Sequence, residues 1–340
     1  MKMKGGKGFS LVEIMVSLVA GLILSAGVIQ IYASNKQTYR VAEANARVQE
    51  NARFAIDVLS RDLRMAGYQG CAGSARILVN TLNDTSSFLY DFGTAVQGFE
   101  ATSDSAWTPA VDNSITNPLG GRDIVVVRGV FDGSKAITGQ PNNAGDCNNS
   151  SSYTADLKVD DTSGLASGDI VIAGNCTRAS IFQITNVNTN NNVVHNTGNS
   201  VSPGNSTKDL QACYAGNGEL TRISTVSFYV RNNASGIPSL YRKDGSSAAE
   251  ELVEGVEDMQ VLYGVDTDGD GLANQFVRAN DVTNWDSVVS IRASLLLRSL
   301  EDSITTTPQT YVFNGSTVTP ADSRLRRVFT TTISIRNRLP

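Results

Sequence analysis

Residues 8–35 read GFSLVEIMVSLVAGLILSAGVIQIYASN, and from Ile14 to Asn35 there are 22 consecutive residues without a charge. As an α-helix at ~1.5 Å per residue this run is ~33 Å long, enough to cross a hydrocarbon core of ~30 Å. Lys2, Lys4 and Lys7 precede it with no acid among them, which keeps that end in the cytoplasm and exports the remainder of the chain. Glu13 stands close to the start of the run. A carboxylate at mid-bilayer costs roughly 2.5–3.5 kcal/mol on insertion scales, and less near an interface. An ordinary cleaved signal peptide also joins a basic stretch to an apolar one, but it gains nothing from that charge.

The helical pattern does not stop at Asn35. Val41, Ala44, Val48, Ala52, Ala55, Leu59, Leu63 and Ala66 recur at steps of three and four, and the first proline of the chain is Pro109. Such spacing gathers the apolar side chains on one face of a helix. Arg40, Glu43, Arg47, Glu50, Arg53, Asp57 and Arg61 form an opposite stripe of alternating sign, each i,i+3 or i,i+4 pair adding about 0.2–0.5 kcal/mol. Gly67 offers a C-terminal stop. One helix from about Phe9 to Ala66 is therefore expected. A signal peptide would be cut from it, for example after Ser25-Ala26-Gly27; an anchor would stay joined to it.

Gly8-Phe9-Ser10-Leu11-Val12-Glu13 resembles the cleavage and methylation motif of type IV prepilins. That resemblance implies that a prepilin peptidase cuts between Gly8 and Phe9 and methylates the new Phe9 amine. Cleavage removes the leader lysines and creates one α-amine, with a reference pKa of about 7.7–8.0. A cationic amine on one subunit can pair with Glu13 of a neighbour, offsetting the cost of a carboxylate in apolar surroundings and fixing axial register between helices. The sequence departs from many major pilins in lacking a proline in the apolar run, where Gly21 and Gly27 are the helix-weakening residues.

Further phrases resemble the minor pilin family called PilW: QENARFAIDVLSRDLRMAGYQGC, PSLYRKDG, ELVEGVEDMQVLYGVDTDGDG, VVSIRASLLLRS and the terminal RRVFTTTISIRNRLP. They cover about the first 75 and the last 115 residues, leaving roughly 75–215 unmatched. The resemblance implies an α+β, type IV pilin-like fold, with a long N-terminal helix packed on an antiparallel β-sheet domain. It also implies a non-enzymatic subunit that helps to initiate pilus assembly in a tip-located complex. Its partners would be other minor and major pilins, the prepilin peptidase, the inner-membrane assembly platform and a tip adhesin. Its location would be the inner membrane with a periplasmic domain, then the pilus. A pseudopilin of a type II secretion system shares the leader, Glu13 and the helix; an exported enzyme or binding protein behind an ordinary signal peptide is the reading from another class.

The expected organisation is a leader (1–8), a transmembrane and filament-core helix (9–35), its amphipathic continuation (36–66) and a β-rich periplasmic domain (67–340). A loop-rich insertion is expected at about 135–215, where Gln140–Tyr153 and Asn186–Thr207 are rich in Asn, Ser, Thr and Gly. Period-2 patterns mark strands at 123–129, 169–173, 181–187, 225–231, 239–243, 259–265, 289–297 and 329–335, with no helical pattern between them.

A net charge of -5 argues against nucleic-acid binding. Arg324, Arg326, Arg327, Arg336 and Arg338 read as arginines of an edge strand. Cys71, Cys147, Cys176 and Cys213 form no CxxC motif; export favours two disulfides over four buried thiols. Of the three connectivities, Cys71–Cys147 with Cys176–Cys213 is the expected one. His195, the only histidine, sits in an Asn-rich stretch and reads as an exposed loop residue without a catalytic part. No motif requires a cofactor. Calcium is a candidate at Asp266, Asp268, Asp270 and Asn274, spaced like the start of an EF-hand loop, with Asp281 or a main-chain oxygen completing the set. However, Val277 stands where the bidentate Glu belongs, and a charged Asp-Gly hairpin turn explains the same residues.

Overall fold

The computed structural model describes residues 10–71, 77–141 and 154–338. Helix α1 spans Leu11–Arg64 without a break. Ser10 caps its start: the Ser10 hydroxyl accepts from the Glu13 amide at 3.3 Å, and the Ser10 carbonyl from Ile14. At the other end Met65 and Ala66 turn tightly, each donating to the carbonyl three residues back. Gly67 follows at φ 72°, a left-handed conformation that side chains resist. Phe9, expected as the first helical residue, lies outside the described residues. Ala44, Val48, Ala52, Ala55, Leu59, Leu63 and Ala66 are all buried, as their periodicity requires. Glu43, Arg47, Glu50, Arg53, Asp57 and Arg61 point away from that face.

The strands in chain order are β1 (Ile77–Asn80), β2 (Val96–Ser103), β3 (Ala106–Thr108), β4 (Ile124–Val130), β5 (Lys135–Gly139), β6 (Asp156–Val159), β7 (Ile170–Gly174), β8 (Arg178–Gln183), β9 (Asn186–Asn188) and β10 (Asn192–Val194). They continue as β11 (Gly218–Asn232), β12 (Pro238–Asp244), β13 (Glu250–Glu254), β14 (Val256–Val265), β15 (Gln275–Val277), β16 (Val288–Arg298), β17 (Tyr311–Phe313), β18 (Ser316–Val318) and β19 (Arg326–Ser334). The described residues make two compact units: 10–50 with Arg298–Arg327, and Asn51–Leu297 with 328–338.

In the first unit, Ala44 packs with Ile304 and Leu325, and Val41 lies against them. The Gln37 side chain donates to the Ile304 carbonyl at 2.5 Å. Strands β17 and β18 form a hairpin there, turned by Asn314 and Gly315 at positive φ.

In the second unit β1–β13 form one branched sheet. Its long strand is β11, of 15 residues. The first part of β11 pairs with β5 and β7, and the later part with β4 and β12. One strand thus joins the core sheet to the stretch expected to be loop-rich. That stretch instead holds β5–β10 and a core of its own, built on Leu157, Val171, Phe182, Val193 and Leu220. Residues 142–153, most of the first low-complexity segment, lie outside the described residues. A second sheet has the order β15-β14-β16-β19, so β19 is its edge, as its arginines suggested. One pair, β1 with β8, is parallel in an otherwise antiparallel set, so the fold is α+β with a mixed sheet.

The last turns of α1 meet this unit through backbone and charge. The Gly67 amide donates to the Arg128 carbonyl at 2.8 Å, and the Val130 amide to the Tyr68 carbonyl at 2.7 Å. A Cβ on Gly129 would come within 3.0 Å of the Met65 carbonyl oxygen, which explains a glycine in the middle of β4. Asp62, buried on the apolar face, accepts from Arg242 of β12 at 2.8 Å. Removing one partner of such a buried pair costs roughly 3–5 kcal/mol.

Asp123 joins the two sheets. Its carboxylate accepts from the Ala101 amide of β2 (3.0 Å) and the Val261 amide of β14 (2.9 Å). Burial, opposed by those two bonds and reinforced by Glu100 and Asp258, pushes its pKa up to about 7. An unfolded aspartate titrates near 3.9, so the native state holds the proton more tightly between about pH 4 and pH 7. This group's contribution to stability therefore falls as pH rises through that window and is flat above it. The stability of the parent relative to Asp123→Asn should drop by on the order of 2–4 kcal/mol between pH 4 and pH 7.5, read by urea unfolding. A difference independent of pH would contradict this.

Candidate functional site

The first part of α1 is chemically unlike the rest. From Leu11 to Lys36 every residue is exposed, including Ile23 at 69% and Leu24 at 70%. A soluble protein does not leave such an apolar surface bare, and this helix is long and apolar enough to cross a membrane. Glu13 lies in its first turn, where a negative charge suits the helix dipole. Its amide is used by Ser10 and its carbonyl accepts from the Ser17 hydroxyl at 2.7 Å. Its carboxylate bonds to nothing among the described residues. Ser10 and Glu13 thus have the S-x-x-E spacing of a capping box, a second local signal that the sequence carries inside the prepilin motif. Gly8 and Phe9 lie outside the described residues.

Cys71 and Cys176 form a disulfide, which overturns the expected pairs Cys71–Cys147 and Cys176–Cys213. The reason is the parallel β1–β8 ladder, with Ile77 opposite Arg178. Both cysteines precede these paired strands in the chain, Cys71 before β1 and Cys176 before β8. Cys213 is also disulfide-bonded, and its carbonyl accepts from the Asn175 side chain at 3.3 Å. Cys147 lies outside the described residues.

His195 is not exposed. It is 1% accessible and packed beside Phe182, the ring centroids 4.7 Å apart and the planes tilted by 42°. Strand β10 carries it inward: the His195 amide donates to the Ala155 carbonyl, so the Asn-rich segment is paired into the sheet. Burial lowers its pKa to about 4, and its Nδ1 has no hydrogen-bond partner among the described residues. The Phe182 face and the Lys208 carbonyl, 3.3 Å from Nε2, make this a core histidine. Two of the C-terminal arginines, Arg324 and Arg326, are structural. Arg326 is buried and paired with Asp322, and Arg324 bonds the carbonyls of Ser299 and Leu300.

The loop between β14 and β15 gathers Asp266, Asp268 and Asp270, one carboxylate oxygen of each lying within 4.8 Å of the others. Asp266 accepts from the amides of Gly271, Gly269 and Asp268, and these bonds hold its carboxyl below the usual range. Asn274 presents its nitrogen to the cluster and not its oxygen: its oxygen accepts from the Thr267 amide and hydroxyl, while its amide donates to Asp268. Val277 is held in β15 opposite Tyr263. Three converging carboxylates suit a hard cation, but calcium takes six to eight oxygens, and the loop is already closed by its own bonds. The melting temperature in millimolar CaCl2 should therefore match that in EDTA within about 1 °C. A rise of several degrees would show that a cation completes the loop.

The family described as Type IV Pilus-assembly protein W matches residues 227–337, which span the later part of β11 through β19. The Prokaryotic N-terminal methylation motif matches residues 3–29, the leader and the start of α1. Among solved structures, the Type IV-like pilin TTHA1219 from Thermus thermophilus is similar at 12% identity, over 86% of this chain and 98% of that one. Its TM-score is 0.33, too loose a likeness to bear on function. No curated protein matches the chain. The methylation motif and the one helix among the described residues that is long and apolar enough to cross a membrane fit a single-pass inner-membrane pilin with a globular domain, associated with the pilus.

Proposed function

We propose that this chain, a type IV pilus minor pilin of the PilW type, helps to initiate pilus assembly within a tip-located complex of minor pilins. The observation that carries the reading is one unbroken helix, Leu11–Arg64, whose first half buries nothing while its last turns are built into a folded domain. Such a helix anchors the subunit in the bilayer before assembly and offers the same apolar surface to neighbouring pilin helices afterwards. Gly8 and Phe9 are the processing site, cut after Gly8 and methylated on the Phe9 amine. Other pilins, the prepilin peptidase and the inner-membrane platform are the partners, with an adhesin beyond them at the tip. The chain acts by assembly and catalyses nothing itself.

Glu13 supplies the register. Its carboxylate is unpaired within the described part of the subunit, so a cationic Phe9 amine on a neighbour is the partner that offsets its cost in an apolar bundle. Glu13→Leu should leave the protein made, exported and processed. Co-purification of other pilins from membranes, and surface pilus counts, should fall by roughly tenfold or more. Glu13→Asp should lie between, keeping the charge but withdrawing it by one methylene. Normal assembly of Glu13→Leu would mean that Glu13 serves only helix capping or recognition by the peptidase. The identity of the co-purifying subunits also separates a pilus from a type II secretion pseudopilus.

A further inference from the structure

A cavity of about 410 Å³ opens in the second unit, between the chain before β2 and the loop after β3. That volume is within the usual range for small-ligand sites. One side carries an aromatic ring: Phe88, half-buried, packs on the buried Phe99 at 5.9 Å between ring centroids, and the Arg128 guanidinium sits 5.3 Å from the centre of the Phe88 ring. Arg128 is 2% exposed. Its Nε and Nη2 donate to the Phe88 carbonyl, Nη2 also to the Gln97 side chain, and Nη1 to the Thr94 carbonyl. That leaves one Nη1 hydrogen on a buried cation without a partner among the described residues. Burial lowers its pKa to about 10, against the raising field of Asp91, so it stays charged at neutral pH.

The acceptors in the cavity are also only partly used. The Asp91 carboxylate, half-buried, accepts no hydrogen bond among the described residues. Asp112 uses one oxygen for the Ser114 amide at 2.8 Å, and the Ser114 hydroxyl beside it is buried without a hydrogen-bond partner among the described residues. The Asn113 amide stands exposed at the rim. Elsewhere in the chain comparable carboxylates close turns, as Asp84, Asp161 and Asp266 do.

These groups select a chemistry. An anion would meet Asp91 and Asp112, and a cation would meet Arg128. A purely apolar ligand would strand a charged donor and a charged acceptor, each at a cost of kcal/mol size. The match is a neutral molecule whose closely spaced hydroxyls both donate and accept, with a C–H face to lay on an aromatic ring. We propose that this cavity is a binding site for a neutral sugar ring, with Asp91, Asp112 and Arg128 taking its hydroxyls and the half-buried Phe88 ring its apolar face. This binding role is separate from assembly through α1 and does not depend on it.

The test uses the full-length protein in lipid nanodiscs. Saturation-transfer NMR is recorded with free glucose, galactose, mannose and N-acetylglucosamine as the probes. At least one should show saturable transfer. Asp91→Ala, which removes a carboxylate that accepts no bond among the described residues, should weaken that binding by roughly tenfold. Ala110→Trp, at an exposed lining position, should abolish it by filling the cavity. Asp161→Ala, in the turn after β6 and outside the cavity, should leave it unchanged. Absence of transfer from all four sugars, or parental binding by both cavity variants, would overturn the proposal.

Discussion

The attachment of the last turns of α1 to the β domain is the constraint on which the rest depends. From Asn51 onward the helix presents a face of Ala52, Ala55, Leu59, Leu63 and Ala66 that is wholly buried. Fully burying one leucine contributes roughly 1.5–3 kcal/mol, and alanines at the other positions let the backbone approach closely. The Asp62–Arg242 pair then fixes rotation about the helix axis. Arg242 also contacts Asp244, and Asp244 pairs with Arg222, which reaches Asp132. Charge from the helix is thereby tied across β12 and β11.

The same attachment explains why the fold tolerates a large addition. Strand β11 is long enough to serve two sets of neighbours, and the β5–β10 region buries its own core against the early part of that strand. Neither α1 nor the β14–β16 pair has to change to accommodate it. The Cys71–Cys176 disulfide closes the route from the end of the helix into β1 and β8, and restricts the unfolded chain's freedom over 105 residues. An exported domain benefits from such a link more than a cytosolic one.

Much of this was legible in the sequence where the signal is local. The α1 face follows from spacing alone, because a helix brings together residues three and four apart. Strands β4, β12, β14 and β16 follow from alternation or an apolar run, and Gly67 from its place after the last periodic residue. The features that could not be read depend on partners far away in the chain. Asp62 looks like one more charge on a charged helix until Arg242 is beside it. Asp123 and Arg128 look like strand-end and strand charges until the neighbouring segments bury them. His195 lies just past a run of asparagines, yet β6 and β9 pair that segment inward. The disulfide depends on a parallel pair that joins strands a hundred residues apart, which no spacing rule reaches. For the candidate site itself, the apolar run, Glu13 and the Gly8-Phe9 junction are contiguous, so the assembly reading was accessible from the start. The Phe88–Arg128 cavity was not, because its walls come from several separate segments.

The central claim is that the leader is cut at its junction with a helix that remains part of the protein. N-terminal sequencing with intact mass of the mature protein from membranes measures this most directly. The account predicts a chain beginning at Phe9, heavier by one methyl group on its α-amine, with α1 complete. A mature chain beginning near Val28 would contradict it, since the anchor and Glu13 would then be gone.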